Sequence, residues 1–267
     1  MQNGSMDRLW IFSKNAMKIY QTNVLGETLH STDVEADWQV AGICVTREEE
    51  LLICCKGDQT IKKCTKDGSV VDLINLAPLR PISISTSWST GEILVGAIDS
   101  SISDDEAFSS GSGRRVVFKY TSSGEKTVEI QFESLGVPLF TVPWKIQVGT
   151  NGDIAVCNMK SEREGEVVLL DKYGRLKFRY DSKESQIGDD VSEVKFCPVG
   201  LCFDDKNNLV VSEVHSYSVQ LIDLNGKFKG TLYRNKRNPP TDIVRCSNGD
   251  LMVGCSSGKV HVLKSNE

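Results

Sequence analysis

Internal repetition constrains this chain more than any other feature. A unit of about 50 residues recurs along it. Each unit holds a short apolar strand, a tight turn, a second strand rich in β-branched residues, a variable loop, a third strand, a glycine turn and a fourth strand. The clearest copy runs from Pro198 to Arg234 (PVGLCFDDKNNLVVSEVHSYSVQLIDLNGKFKGTLYR), with related units at Val40–Ile74, Arg80–Phe132, Pro143–Tyr180 and Pro240–Lys264. Glycine marks the third-to-fourth turn at Gly26, Gly68, Gly124, Gly174 and Gly226. A two-residue hairpin turn needs positive φ, which glycine adopts without steric penalty. Asn151-Gly152 and Asn248-Gly249 supply the same chemistry between first and second strands.

No stretch carries apolar residues at i, i+3, i+4 and i+7 over three turns, so helix signals are nearly absent. Four-stranded antiparallel units joined in series at this period predict radially stacked blades. The expected fold is therefore all-β: a six-bladed β-propeller forming a single domain over 1–267. Its blades fall at approximately 7–35, 36–76, 77–135, 136–183, 184–235 and 236–267. Residues 8–32 read as second, third and fourth strands only, and the final unit stops after its third strand. That gives twenty-two strands, two short of a closed ring, with incomplete first and last blades. Glu27–Thr32 is expected to stay in the first blade, and the last blade to end three-stranded. Unpaired edges at such a seam aggregate or pair with another segment. The pattern suggests the C-terminal part of a longer protein or an abbreviated reading frame.

Charge and cysteine usage narrow the setting. A net charge of −5 and a pI near 5.4 argue against DNA and anionic membranes as partners. No apolar run approaches the roughly 20 residues that span a bilayer. The opening MQNGSMDRLW lacks the basic and apolar regions of a signal peptide. The nine cysteines are odd in number, irregularly spaced and mostly inside apolar strand-like runs, with no CxxC. They read as reduced thiols of a cytoplasmic protein. Asn3-Gly4-Ser5 matches a glycosylation sequon and, without an entry signal, reads as accidental.

Catalytic and metal chemistry find little support. The expected innermost strands (VAGICV, RPISIS, WKIQVG, VGLCFD, TDIVRC) offer oxygen ligands only at Asp204, Asp242 and Gln147, whereas calcium takes roughly six to eight oxygens. Asp204 reads better as a cap for the turn that follows it. His30, His215 and His261 are scattered, and no GxSxG elbow occurs; Gly111-Ser112-Gly113 lies in a Ser-rich loop. No catalytic residue, metal ligand or cofactor is assigned, and the chain reads as a non-enzyme.

The units from Pro143 to Lys264 resemble NHL repeats. Pro198, Gly200, Asp204, Asn208, Val210, Ser212-Glu213, Val219, Leu221, Asp223, Gly226 and Phe228 fit that family's frame. Ser216-Tyr217-Ser218 departs from its usual Asn-His-Arg. The whole chain is similar to the C-terminal propeller of bivalve tripartite-motif (TRIM)-like proteins, through DRLWIFSK, TNVLGETLHSTD, STGEILVG, NGDIAV, PVGLCFD and NGDLMVGCSSGKVHVLK. The resemblance implies a propeller that selects what is ubiquitinated, attached to RING, B-box and coiled-coil regions. A RING needs about eight paired Cys/His ligands, which this sequence lacks.

The expected function is thus a non-catalytic protein-interaction scaffold, a partner-recognition propeller of a ubiquitin-ligase-related protein. One alternative is an RNA-binding NHL propeller, using Lys56, Lys62, Lys63 and Lys66 or Arg234, Lys236 and Arg237 as basic patches. Lys62-Lys63 reads equally as solvation of an outer strand, and Trp10, Trp88 and Trp144 read as core. A second alternative, from likeness of shape, is a calcium-dependent lactonase-like propeller enzyme. For a protein partner, two second-to-third-strand insertions stand out, Asp99–Gly113 and Asn158–Glu166, together with the acidic stretch Asp181–Glu193. The candidate contact residues are Lys160, Arg163, His215, Tyr217, Arg237 and Phe108.

Overall fold

The unbroken apolar run Leu51–Cys55 shows how the layers are built. Side chains alternate across a strand, so a strand buried on both faces is apolar at every position. Leu52 and Cys54 pack with Ile84, Val95 and Phe118 on one side, while Leu51, Ile53 and Cys55 pack with Ile19 and Trp38 on the other. The same alternation sends Leu209 and Val211 one way and Val210 the other. Each of these two sheets is thereby sandwiched between two neighbours.

The computed structural model describes residues 8–13, 17–23, 25–65, 67–108, 113–182 and 195–264. Among them are twenty-two strands and one helical turn, Ala36–Trp38. The first blade is three-stranded: β1 (Arg8–Ser13), β2 (Lys18–Asn23) and β3 (Thr28–Asp33). Four four-stranded blades follow. The second comprises β4 (Val40–Val45), β5 (Leu51–Cys55), β6 (Thr60–Cys64) and β7 (Val70–Asn75). The third comprises β8 (Leu79–Thr86), β9 (Ile93–Asp99), β10 (Arg115–Tyr120) and β11 (Lys126–Ile130). The fourth comprises β12 (Val142–Val148), β13 (Ile154–Ser161), β14 (Glu164–Leu170) and β15 (Leu176–Tyr180). The fifth comprises β16 (Pro198–Phe203), β17 (Leu209–Glu213), β18 (Ser218–Ile222) and β19 (Phe228–Arg234). The last is again three-stranded: β20 (Pro240–Arg245), β21 (Leu251–Cys255) and β22 (Val260–Leu263).

The chain is a six-bladed, all-β propeller, as the repeat predicts, and among the described residues the first and last blades are three-stranded. The five turn glycines take φ of +82°, +86°, +87°, +85° and +79° in chain order. β3 pairs with β2 in its own blade, and β22 ends the last one. The innermost strands β4, β8, β12, β16 and β20 stack on one another in sequence around the axis. All nine cysteines are free; Cys54 and Cys55 point to opposite faces of their sheet. No helix among the described residues is long and apolar enough to cross a membrane.

Each innermost strand carries the same irregularity. Register slips by one residue at Val40/Gly42, Pro81/Ser83, Pro143/Lys145, Pro198/Gly200 and Pro240/Asp242. The extra residue of each bulge is Ala41, Ile82, Trp144, Val199 or Thr241. Four of the five follow a proline. An innermost strand has one edge turned to the axis, where the missing N–H of proline breaks no ladder bond.

Candidate functional site on the loop face

Antiparallel strands reverse direction at each turn, so second-to-third-strand loops and inter-blade connections share one end of the ring. Backbone hydrogen bonds tie these segments together: Gly57 N to Trp38 O, Ser100 N to Pro78 O, Val214 N to Cys197 O and Asn235 N to Tyr217 O. All six candidate contact residues lie in segments of this face. The structure brings only some of them together.

Phe108 and Arg163 line one open cleft of about 390 Å³ with Asp105, Ser161 and Glu162. Beneath it, Ile102 and Ala107 are buried with Ile82, Val142 and Met159, so the described part of the Asp99–Gly113 insertion is anchored. Ser103 and Glu106 bond reciprocally across its turn. Asp104 is gripped by Lys56 (2.8 Å) and Arg80 (2.7 Å). The Lys56 hydrogen bond, with the charges of both cations, holds the Asp104 carboxyl below its ordinary range against some burial. Residues 109–112, Lys66, Asn3-Gly4-Ser5 and residues 183–193 of the acidic stretch lie outside the described residues.

The Asn158–Glu166 insertion is not a loop. β13 continues to Ser161 and β14 begins at Glu164, which extends the hairpin and leaves a two-residue turn. A polar network inside it explains why so hydrophilic a segment stays in a sheet. Buried Glu166 accepts from Asn158 Nδ2 (2.9 Å), Lys160 Nζ (2.7 Å) and Arg179. Lys160 is therefore committed to Glu166, whereas Arg163 is exposed with no ion pair among the described residues. His215 is latched by Nδ1 to the Lys195 carbonyl at 2.8 Å, and its backbone N–H donates to buried Glu213. Tyr217 takes φ of +56° in the turn before β18, a conformation uncommon outside glycine. Arg237 is exposed in the last inter-blade connection, its backbone N–H bonded to Asn235 Oδ1 (3.0 Å), and Asn235 N in turn bonds to the Tyr217 carbonyl (2.9 Å).

Sequence reasoning missed two features of this face. The first is a small hairpin between the third and fourth blades, closed by a bridge between Phe132 and Pro138 and by Glu133 N to Val137 O at 2.8 Å. The Glu133 carboxylate is pinned by Arg179 at 2.8 Å. This braced hairpin leaves Phe132 55%, Leu135 90% and Val137 50% exposed. The chain then runs inward to Trp144, which the bulge turns out of the core and leaves 48% exposed. Trp88, in the turn after β8 at the opposite end, is also half-exposed, so of the three tryptophans read as core only Trp10 packs against one.

The second feature is axial. Lys145 and Asp242 follow the bulges of β12 and β20, and Gly200 takes the equivalent place in the blade between. Lys145 Nζ meets Asp242 Oδ2 at 2.7 Å across that intervening blade. A Cβ on Gly200 would lie 2.7 Å from Asp242 Cα and 3.0 Å from its Oδ1, so glycine leaves the room the pair needs. Burial lowers the Lys145 pKa, but the charge and hydrogen bond of Asp242 outweigh it and the net shift is upward. Cys44, Cys157 and Cys202 lie within electrostatic range of this pair, and burial raises all three thiols. They stay protonated and are poor nucleophiles. Asp204 caps its own turn, accepting from Lys206 N and Asn208 N, and so is not turned to the axis.

Among the described residues of the basic patch in the second blade, Lys56, Lys62 and Lys63 are each paired with carboxylates. Lys62 is not on an outer strand: it lies in β6, 8% exposed, bonded to Asp58 and Asp72 and over the Trp38 ring at 5.2 Å. Lys63 pairs with Glu50. The histidines do not converge: His30 is on β3, His215 in the fifth blade, and His261 contacts Asn238 and Tyr233 in the last. Among the described residues no group of three His, Cys, Asp or Glu is arranged to hold a metal ion.

No family model matches the sequence, and no curated protein does either. Solved structures do match in shape. The chain in a nidogen/laminin complex aligns with a TM-score of 0.66 at 12% identity, over 97% of this chain and 89% of that one. Virginiamycin B lyase from Staphylococcus aureus gives 0.60 at 14% identity, over 97% and 81%. Regucalcin from Agrobacterium tumefaciens, a calcium-binding protein, gives 0.58 at 12% identity, over 93% and 81%. What they share with this chain is the propeller. A fold common to enzymes and binding proteins does not choose between those roles.

Proposed function

We propose that this chain is a non-catalytic, cytoplasmic protein-recognition propeller that binds its partner on the loop face. The observation that carries the reading is the braced Phe132–Pro138 hairpin. It holds three large apolar side chains in solvent on a face that also exposes Trp144. Contiguous exposed apolar surface on rigid loops marks interaction sites. Arg163, His215, Tyr217, Arg237 and the Phe108 cleft supply polar and aromatic rim contacts, and Lys160 reaches the rim from its buried anchor. On the NHL and TRIM-like resemblance, the partner is a protein selected for a ubiquitin-ligase-related assembly.

The test is cross-linking mass spectrometry in cells of the source tissue, comparing the native chain with a Phe132→Ser, Leu135→Asp double variant. Partners that cross-link to residues 131–144 and disappear with the variant support the reading. Partners retained by the variant, or cross-linked only to the opposite face, refute it. Single-stranded RNA binding that weakens steeply with salt would favour the RNA alternative. Turnover of streptogramin or lactone substrates would favour an enzyme.

A further inference from the structure

The insertion that follows β9 returns one of its own carboxylates to a pair of cations. Asp104 Oδ1 accepts from Lys56 Nζ at 2.8 Å and from Arg80 Nη1 at 2.7 Å, and its Oδ2 lies 2.5 Å from Lys56. The two cations come from different blades: Lys56 follows β5, and Arg80 lies in β8 opposite Ile98. They are also the more buried members of the cluster. Arg80 is 9% exposed, whereas the Asp104 side chain keeps 68% of its surface in solvent.

Asp104 uses only part of what Arg80 offers. Nε and Nη2 are buried and have no hydrogen-bond partner among the described residues. These two atoms form one edge of the guanidinium, the side-on fork that bonds two oxygens of a single carboxylate or phosphate. Buried donors of a charged group are rarely left unsatisfied, because each forfeits its hydration. A carboxylate has two oxygens, and those of Asp104 are already committed to Lys56 Nζ and Arg80 Nη1. A phosphate monoester carries three terminal oxygens, enough to take the same two donors and reach the fork as well. The neighbouring carboxylates are placed elsewhere: Glu106 accepts from Ser103 N and Oγ, and Asp105 lines the cleft of Phe108 and Arg163.

We infer that Lys56 and Arg80 form a binding site for a phosphate monoester, and that Asp104 is its built-in stand-in. An incoming phosphate displaces Asp104, whose side chain lies mostly in solvent and whose pairs are correspondingly weak. The guanidinium then turns its fork to the phosphate. Ile102 and Ala107 keep the insertion anchored on either side of the displaced residue. Asp104 adjoins Asp105 in the wall of the Phe108 cleft, so a phosphorylated segment of a protein partner can occupy both places. The site is independent of the Phe132–Pro138 hairpin. A chain that binds phosphate here but keeps every partner when that hairpin is changed would refute the loop-face reading alone.

The test uses the full chain, a short phosphoserine peptide of otherwise neutral residues, its counterparts with Ser or Glu in place of phosphoserine, and inorganic phosphate. Calorimetry should find saturable one-to-one binding of the phosphopeptide and none of the Ser peptide. Asp104→Ala, which removes the stand-in, should tighten binding about tenfold, and Lys56→Gln should weaken it about tenfold. Arg80→Lys keeps the charge but loses the fork, and should also weaken binding about tenfold. The Arg80 Nε–H resonance should move downfield as phosphate binds, a readout that needs no substitution at this buried residue. Phosphopeptide binding tighter than that of inorganic phosphate assigns the ligand to a partner segment; equal binding keeps the site and makes free phosphate its ligand. Absence of saturable phosphopeptide binding to the Asp104→Ala chain at about 1 mM overturns the inference. So does an unmoved Nε–H resonance, or a Glu peptide that binds as tightly as the phosphopeptide.

Discussion

Replacing Lys145 by Met and Asp242 by Asn, singly and together, tests the axial pair directly. The Nζ–Oδ2 separation is 2.7 Å, but the two side chains keep 25% and 54% of their surface in solvent. Removing one partner from a fully buried pair costs about 3–5 kcal/mol, whereas exposed pairs contribute roughly 0.2–1 kcal/mol. This geometry lies between those limits. Each single change is expected to cost about 1–2 kcal/mol, with a coupling energy of about 1 kcal/mol in the double-mutant cycle. For a domain of this size that is a fall of roughly 2–6 °C in melting temperature per single change. Thermal unfolding of the four proteins at matched concentration measures it. The pH dependence has a definite sign. The folded Lys145 pKa is raised above its ordinary 10.5, so the contribution is full below that value and is lost as pH rises through the folded one. A coupling energy under about 0.3 kcal/mol, or one already gone at pH 9, would refute the view that this pair organises the axis.

Two further outcomes follow from neighbouring geometry. Gly200→Ala would place its Cβ 2.4 Å from Ser212 Oγ and 2.7 Å from the backbone of Asp242, so it should destabilise by about 1–3 kcal/mol in chemical denaturation. Gly42→Ala, at the equivalent place in the second blade, meets nothing closer than 3.7 Å and should be near neutral; equal costs would show that the clash is not the cause. The lowered Asp104 carboxyl stabilises its loop above the ordinary value of 3.8, and that contribution is lost as pH falls through the lower folded value. Protection of the amides of residues 100–108, relative to their intrinsic exchange rates, should begin to fall only below about pH 3.8, and Asp104→Asn should reproduce the loss of protection at neutral pH.

The parts of this fold that sequence reveals are those set by neighbours in the chain. A turn glycine declares its positive φ locally, and an apolar run such as Leu51–Cys55 declares burial on both sides. Counting such units gives the blades, including the two incomplete ones. What escapes depends on register between distant strands. Lys145 and Asp242 look unrelated until the bulges place both at the same level of the ring. Trp144 reads as core because the strand around it is apolar, and one inserted residue turns it outward. Asn158, Lys160 and Glu166 read as a loop because their mutual satisfaction cannot be seen without Arg179 from another strand. The Phe132–Pro138 hairpin hides because a short apolar loop resembles one more strand.

The recurring bulge has a consequence for how such a surface changes over time. A bulged residue stands outside the ladder, so its side chain can be replaced without disturbing the pairing that holds its blade. Ala41, Ile82, Trp144, Val199 and Thr241 occupy that position in five successive blades. Their present diversity, from a methyl group to an indole, sits on one common backbone. Ile82 and Val199 are tied into the core beneath the loop face, but Ala41, Trp144 and Thr241 stand exposed. Those three are separately adjustable letters on a fixed frame, through which descendants of this chain can acquire new partners one change at a time.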